Sequence, residues 1–237
     1  MDPAGILLRT PLFRDLAPVD VEELVPDLHE RRYGRGEAVW LEGDRAEALV
    51  VVAAGQLKAH RVSTAGREVI LGVIGEFAVT GEVGLFHPVG LRWLNLSAMT
   101  ESRCLLVRRA PLLGFLTRHP AAMQRMLEQL SSLAVRAAYS FTGMAFDDIG
   151  ARVANLLLYL ADQHGEPTPG GVRIRLRLSQ TEVAAYVGAS RESVNRALHT
   201  LIEQGVVGQR GGHFYVRDRA VLDAVVREAA GSMRAKA

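Results

Sequence analysis

The sequence contains a single cysteine, Cys104, among 237 residues. One thiol excludes an internal disulfide framework and any cluster held by several thiolates. The uninterrupted apolar runs all fall well short of the roughly 20 residues that cross a membrane, and the N-terminus lacks the basic and apolar regions of a signal peptide. We therefore expect a cytoplasmic protein with no membrane partner, in which Cys104 is buried in a strand.

Patterns of catalytic or metal-binding residues are also scarce. The seven histidines include no i, i+4 pair, and none is spaced from the cysteine as in a zinc site. No G-x-S-x-G nucleophile motif occurs. We expect no catalytic residue, no metal and no enzymatic activity.

The net charge is small, because 28 Lys and Arg residues face 26 Asp and Glu residues, which leaves +2. The balance differs along the chain. Residues 150–237 hold 12 basic and 8 acidic residues, whereas residues 1–149 hold 16 and 18, so the C-terminal part carries the positive excess. That excess favours a phosphate-rich partner for the C-terminal part, and the length of the chain allows two domains.

Residues 178–207 predict two short helices joined by a tight turn. Ser179 and Glu182 have the spacing of a capping box at the start of the first helix. Gly188 suits the turn, and Ser190 is a natural N-cap for the second helix. A helix-turn-helix of this kind places the start of its second helix in the major groove of double-stranded DNA.

The start of the second helix carries side chains that read base edges. Arg donates two hydrogen bonds to guanine, and Glu accepts one from cytosine. Two alternating segments then flank Gly211-Gly212, a hairpin signal that predicts the wing of a winged helix. The alternative is a helical hairpin with solvated polar side chains. The polar cluster consists of Arg191, Glu192, Ser193, Asn195 and Arg196.

Short apolar runs separated by recurrent glycines fill residues 33–107 and predict a small β-barrel or sandwich. Strands are clearest at Ala48–Ala53, Gln56–Val62 and Glu68–Ile74, whereas 165–171, GEPTPGG, has the composition of a loop. A short helical lead-in is predicted at 11–28.

After Pro120, apolar residues recur close to the heptad spacing of a two-helix coiled coil. The alternative is a helix that packs on its own barrel. We favour a homodimer, whose two recognition helices would lie about 34 Å apart on an inverted repeat. The seam consists of Met123, Leu127, Leu130, Ala134, Ala137 and Phe141.

GASRESVNRAL at 188–198, followed by the hairpin, resembles the CRP/FNR family of bacterial transcription regulators. The resemblance implies an α+β protein. Its parts would be a cyclic-nucleotide-binding-type β-roll (jelly roll) with the lead-in at 1–119, a dimerisation helix and hinge at 120–147, and a winged helix-turn-helix at 148–237. It also implies RNA polymerase as a partner.

The resemblance further implies individual DNA contacts. Arg191 and Arg196 would contact guanines and Glu192 a cytosine in a TGTGA-like half-site. Phosphate or supporting contacts would come from Ser179, Gln180, Thr181, Ser190, Ser193, Asn195 and His199.

Residues 75–93 resemble the phosphate-binding cassette of that family, because Gly81, Glu82 and Arg92 match its pattern. Backbone N–H groups and one buried Arg can cradle a phosphate, while Glu can bind a ribose hydroxyl. Three polar ligand contacts of the family are replaced, by Trp93, Ala137 and Ala138.

These departures lead to the hypothesis that cyclic AMP does not gate the protein in the usual way and that no cofactor is needed. Either Trp93 helps to fill the pocket, or the pocket takes another molecule. The alternatives are a regulator gated by a cyclic nucleotide or another small effector, and a small-molecule-binding module that does not bind DNA.

Overall fold

The computed structural model describes residues 2–231, with side chains through residue 228. The chain forms two compact units whose boundary falls between Val135 and Arg136. The helix that the sequence assigns to dimerisation, at 120–147, is therefore shared between the two units. Among the described residues, no helix is both long and apolar enough to span a membrane.

Two four-stranded antiparallel sheets form the centre of the first unit, with strand orders β1-β8-β3-β6 and β2-β7-β4-β5. The strands predicted within residues 48–74 are present, and the two sheets confirm the β-roll. The strands are β1 Leu28–Tyr33, β2 Ala38–Trp40, β3 Ala48–Ala54, β4 Leu57–Val62, β5 Glu68–Ile74, β6 Val79–Thr80, β7 Asn95–Ala98 and β8 Ser102–Arg108.

Strand β3 is buried on both faces. Val50 and Val52 pack in one hydrophobic cluster together with Cys104, whereas Leu49 and Val51 point into a second cluster that the helices cover. The alternation follows from the two-residue period of a strand. Cys104 is fully buried, as predicted, and burial raises the pKa of its thiol to about 12.

The lead-in expected at 11–28 begins earlier than predicted, at Pro3, and is divided into short helices. The helix predicted from residue 120 does begin at Pro120, because proline lacks the N–H that would continue the preceding helix. Phe13 of the lead-in packs edge-on against Phe115 of the helix Arg109–Arg118, with ring centroids 5.8 Å apart. The helices are α1 Pro3–Leu7, α2 Pro18–Glu22, a 3-10 turn Val25–Asp27, α3 Glu82–Phe86, α4 Arg109–Arg118 and α5 Pro120–Phe146.

The second unit packs helices against a sheet of order β11-β12-β10-β9. Asp148 caps α6 by accepting a hydrogen bond from Ala151 N at 2.8 Å. The prediction of a loop at 165–171 is wrong, because its first four residues form a strand paired with β10. The elements are α6 Ile149–His164, β9 Gly165–Thr168, β10 Gly171–Arg177, α7 Gln180–Val187, α8 Arg191–Glu203, β11 Val207–Arg210, β12 His213–Val216 and α9 Arg219–Gly231.

Candidate nucleic-acid interface and effector cassette

Helices α7 and α8 form the predicted helix-turn-helix. Ser179 Oγ accepts from Glu182 N at 3.2 Å, and the Glu182 carboxylate accepts from Ser179 N at 2.7 Å, which completes the capping box. Gly188 ends α7 with φ +67°, a left-handed conformation that favours glycine. Ser190 Oγ then caps α8 by accepting from Ser193 N at 3.1 Å.

Helix α8 is amphipathic, with one face packed on the unit and the other open to solvent. Val194, Leu198 and Leu201 are 0–4% exposed and fix the helix on the unit. Apolar spacing of three and four residues puts these three side chains on one face. The opposite face leaves a polar cluster open to solvent, which consists of Arg191, Glu192, Asn195 and Arg196.

Hydrogen bonds organise this exposed cluster. Arg196 donates to the Glu192 carboxylate at 2.7 Å and to Ser193 Oγ at 3.1 Å. Gln180 Nε2 donates to Asn195 Oδ1 at 2.9 Å, which ties the start of α7 to α8. Arg191 forms no ion pair with any residue in the described part of the chain. Its five donors are available to an outside acceptor.

The outer positions around α7 and α8 are also accessible. Thr181 is exposed, and the exposed His199 ring lies 3.2 Å from the Glu203 carboxylate. Ser179 and Ser190 already use their hydroxyl oxygens to accept backbone hydrogen bonds as helix caps. In this structure both hydroxyls therefore stabilise the helix ends.

The hairpin of β11 and β12 has the geometry that its sequence predicts. Gly211 and Gly212 have φ +60° and +79°, and positive φ at both central residues defines the turn that matches strand twist. His213 contacts Ile174 O at 3.0 Å, and Arg177 Nε donates to His213 Nε2 at 3.3 Å. Arg177 and Arg210 are further exposed basic groups of the same unit that were not among the predicted site residues. The alternation of VRIRLR at 172–177 is the signal that predicts an outward Arg177.

In the first unit, Arg92 occupies the centre of the cassette and is 6% exposed. Its two terminal nitrogens donate to Gly81 O at 2.9 Å and to Ala48 O at 2.6 Å. The Trp40 ring covers the guanidinium, with 3.8 Å between the guanidinium carbon and the ring centroid. A Cβ on Gly81 would lie 2.8 Å from Arg92 Nη1, so only glycine fits there.

Burial disfavours the charge on Arg92 and lowers its pKa to about 10. Nearby Glu82, Asp44 and Glu47 act in the opposite direction, so the guanidinium remains charged at neutral pH. Arg92 Nε is buried without a hydrogen-bond partner in the described residues. The arginine is therefore held by two carbonyls of its own unit and by an aromatic face.

The interpretation that Trp93 fills the pocket is wrong, because the indole that covers Arg92 belongs to Trp40. Trp93 is 52% exposed, and its ring makes an edge contact with His87, with centroids 5.2 Å apart. Glu82 lies on the cassette, where its carboxylate accepts from Gln129 Nε2 at 3.0 Å. Ala137 and Ala138 are exposed residues of α5 in the second unit.

A winged helix-turn-helix together with a β-roll that carries a buried cassette arginine defines a class of DNA-binding regulators. Residues 151–225 match the Crp-like helix-turn-helix domain, and residues 30–119 match the cyclic nucleotide-binding domain. The CRP-like cAMP-activated global transcriptional regulator of Mycobacterium tuberculosis is 30% identical over 213 residues, which are 90% of this chain and 95% of that protein. The chain belongs to the CRP/FNR family.

Solved structures share the fold. FixK2 from Bradyrhizobium japonicum superimposes with a TM-score of 0.73 at 22% identity, over 84% of this chain and 96% of that one. The c-di-GMP responsive regulator CLP from Xanthomonas campestris has a TM-score of 0.67 at 26% identity, over 85% and 100%. The protein is a CRP/FNR-type transcription regulator with a helix-turn-helix DNA-binding domain, and this family consists of regulators, not enzymes.

Proposed function

We propose that the chain acts in the cytoplasm as a homodimer that binds an inverted-repeat DNA site and contacts RNA polymerase. The observation that carries the proposal is the exposed polar face at the start of α8, above the buried Val194, Leu198 and Leu201. This is the part of a helix-turn-helix that enters the major groove.

The base contacts follow from the chemistry of that face. Arg191 and Arg196 would each donate to the O6 and N7 atoms of a guanine, and Glu192 would accept from a cytosine N4. The 2.7 Å contact between Arg196 and Glu192 holds both side chains at the exposed edge of the helix before DNA arrives. This set favours a TGTGA-like half-site.

Phosphate contacts would position the helix without reading sequence. Gln180, Thr181 and His199 are the candidates that lie around the exposed face of α8. Ser179 and Ser190 would contribute through the first turns of α7 and α8, which they cap. Ser193 and Asn195 would support the polar cluster through their hydrogen bonds to Arg196 and Gln180.

The dimer proposal rests on apolar side chains of α5 that face solvent in one chain. Leu127 is 59% exposed and Phe141 is 75% exposed, whereas Met123 and Leu130 pack partly against the core of the first unit. An apolar stripe of this kind is costly in water and indicates an interface. Seam positions separated by four and three residues fit a two-helix coiled coil.

Sedimentation velocity tests the dimer. Leu127→Lys and Phe141→Lys place charge in the proposed seam, so we expect the double variant to sediment as a monomer at concentrations where the native chain is dimeric. Val19→Lys is the matched control, because Val19 is a 68% exposed apolar residue on α2, and it should leave the dimer intact. A dimeric double variant would contradict the proposed seam.

Selection of binding sequences from a random duplex library tests the DNA proposal. We expect an enriched inverted repeat with TGTGA-like halves about one helical turn apart. Enrichment of a single half-site would contradict the dimer on DNA. Recovery of no sequence would favour the module that does not bind DNA.

Gating by cyclic AMP is not required in this proposal. A nucleotide phosphate would compete with Gly81 O and Ala48 O for the Arg92 donors and would have to approach beside the Trp40 ring. The residues that could hold a nucleotide are Gly81, Glu82 and Arg92. We expect DNA binding without a ligand, since both terminal nitrogens of Arg92 already donate to carbonyls.

The alternative is a regulator gated by a small effector in the β-roll. The presence of a buried arginine in the cassette favours it, and so do the names of two relatives, one cAMP-activated and the other c-di-GMP responsive. In that case an effector would displace the carbonyls from Arg92. DNA affinity measured with and without each nucleotide separates the two functions.

A further inference from the structure

The second unit contains a cavity of about 170 Å³ between the last turns of α5 and the helices α6 and α7. It shares no residue with the cassette or with the exposed face of α8. A cavity of about 150 Å³ holds a benzene molecule, so this one has room for an aromatic ring. Its apolar lining includes Met144, Leu156 and Val187.

Arg136 brings a positive charge to this cavity. The side chain is half-buried, and its guanidinium carbon lies 5.6 Å from the centroid of the Tyr159 ring. No carboxylate in the described part of the chain forms an ion pair with it. A half-buried charge of this kind gains most from an outside anion, because it has lost part of its hydration.

Two phenols stand beside Arg136. Burial raises the pKa of Tyr159 and of Tyr186, so both hydroxyls stay protonated. The charge of Arg136 acts on the pKa of both phenols in the opposite direction, and all three side chains line the same cavity. Neither hydroxyl is hydrogen-bonded to another described residue. The cavity therefore offers one guanidinium and two O–H donors without an acceptor.

The remaining charged groups leave the cavity positive. Arg152 donates to Val187 O at 2.8 Å, and its Nε is buried with no partner among the described residues. Asp147 is the acidic residue of the lining. Burial and the neighbouring Asp148 raise the pKa of its carboxyl, and the charge of Arg152 lowers it. With Arg136 and Arg152, the lining holds two arginines and one aspartate.

We infer that this cavity binds a small aromatic monocarboxylate, with its carboxylate on Arg136, Tyr159 and Tyr186 and its ring against Met144 and Leu156. Guanidinium and hydroxyl donors match carboxylate oxygens, and a mostly apolar lining with a few convergent polar groups is typical of ligand sites. Tyr186 and Val187 end α7, so the ligand contacts the helix-turn-helix immediately before its turn at Gly188.

Fluorine NMR of 4-fluorobenzoate, titrated with the full chain, tests the site. We expect saturable binding, with 4-fluorobenzyl alcohol about tenfold weaker because it has the ring without the charge. Inorganic phosphate, which has charge without a ring, should displace the benzoate only at large excess. Equal binding of benzoate and alcohol, or no saturable binding, would overturn the inference.

Variants assign the binding to these residues. Arg136→Gln should weaken 4-fluorobenzoate about tenfold, and Tyr159→Phe, which keeps the ring, should weaken it about threefold. Arg35→Gln, at an exposed arginine of the first unit, should have no effect. Native affinity in Tyr159→Phe and in a folded Arg136→Gln would overturn the inference. The assay contains no DNA, so its outcome is independent of the DNA proposal.

Discussion

The arginines of α8 and the arginine of the cassette differ in where their donors are directed. Arg191 and Arg196 are exposed at the start of α8, whereas Arg92 is 6% exposed and donates to Gly81 O and Ala48 O. Arginine has five donors and no acceptor, so the acceptors around it decide its role. Arg191 has no ion-pair partner among the described residues and Arg196 bonds only to neighbours on the exposed face of its own helix, whereas Arg92 donates to two carbonyls of its unit.

The cost of burial explains the difference. A buried charge must be paired or hydrogen-bonded to be tolerated, and the β-roll supplies two carbonyls and the Trp40 ring to Arg92. Exposed arginines keep their hydration and need no internal partner. The same residue type is therefore exposed on a helix of one unit and buried among acceptors in the other.

Removing the Arg92 side chain should produce the largest effect. Arg92→Leu takes the donor away from Gly81 O and Ala48 O, so we expect a loss of about 2–4 kcal/mol in the free energy of unfolding. Urea denaturation followed by Trp fluorescence measures it. Arg67→Leu, at an exposed arginine of the same unit, should cost less than about 0.5 kcal/mol. A loss of unfolding free energy for Arg92→Leu as small as that for Arg67→Leu would contradict the structural role of Arg92.

Replacing an arginine of α8 should affect DNA and leave stability unchanged. Arg191→Ala or Arg196→Ala should cost about 1–3 kcal/mol in binding to the selected site and relax preference at one base pair. Competition between duplexes that differ at one position measures this. Arg227→Ala, at an exposed arginine of α9, is the control. Equal weakening on every sequence would identify phosphate contacts instead.

Loss of the α8 cap should give the smallest effect. Ser190→Ala removes the acceptor of the Ser193 N–H, and we expect a loss of about 1 kcal/mol in unfolding free energy. Thermal unfolding compares it with Ser131→Ala, at an exposed serine of α5, which should not destabilise. Equal stability of the two variants would mean that the Ser190 cap contributes little to the stability of α8.

The features predicted from the sequence are those with local causes. The capping box of Ser179 and Glu182, the turn at Gly188 and the hairpin at Gly211-Gly212 each depend on residues at most three positions apart. Propensity and spacing therefore suffice to predict them. The family resemblance is carried by residues 188–198 with the hairpin and by the cassette at 75–93.

The features that were missed depend on contacts between distant residues. Trp40 lies 52 positions before Arg92, and no local pattern reveals that its ring covers the guanidinium. Strand β9 has a loop-like composition, and it is a strand because β10 pairs with it. Its position at the sheet edge tolerates Pro167.

Fluorescence anisotropy of a labelled TGTGA-N6-TCACA duplex, with and without cyclic AMP and against a scrambled competitor, tests the central claim most directly. We predict the same tight, competitor-resistant binding in both conditions, because both terminal nitrogens of Arg92 already donate to carbonyls within the β-roll. Binding that requires cyclic AMP would contradict this account and show that the nucleotide displaces those carbonyls.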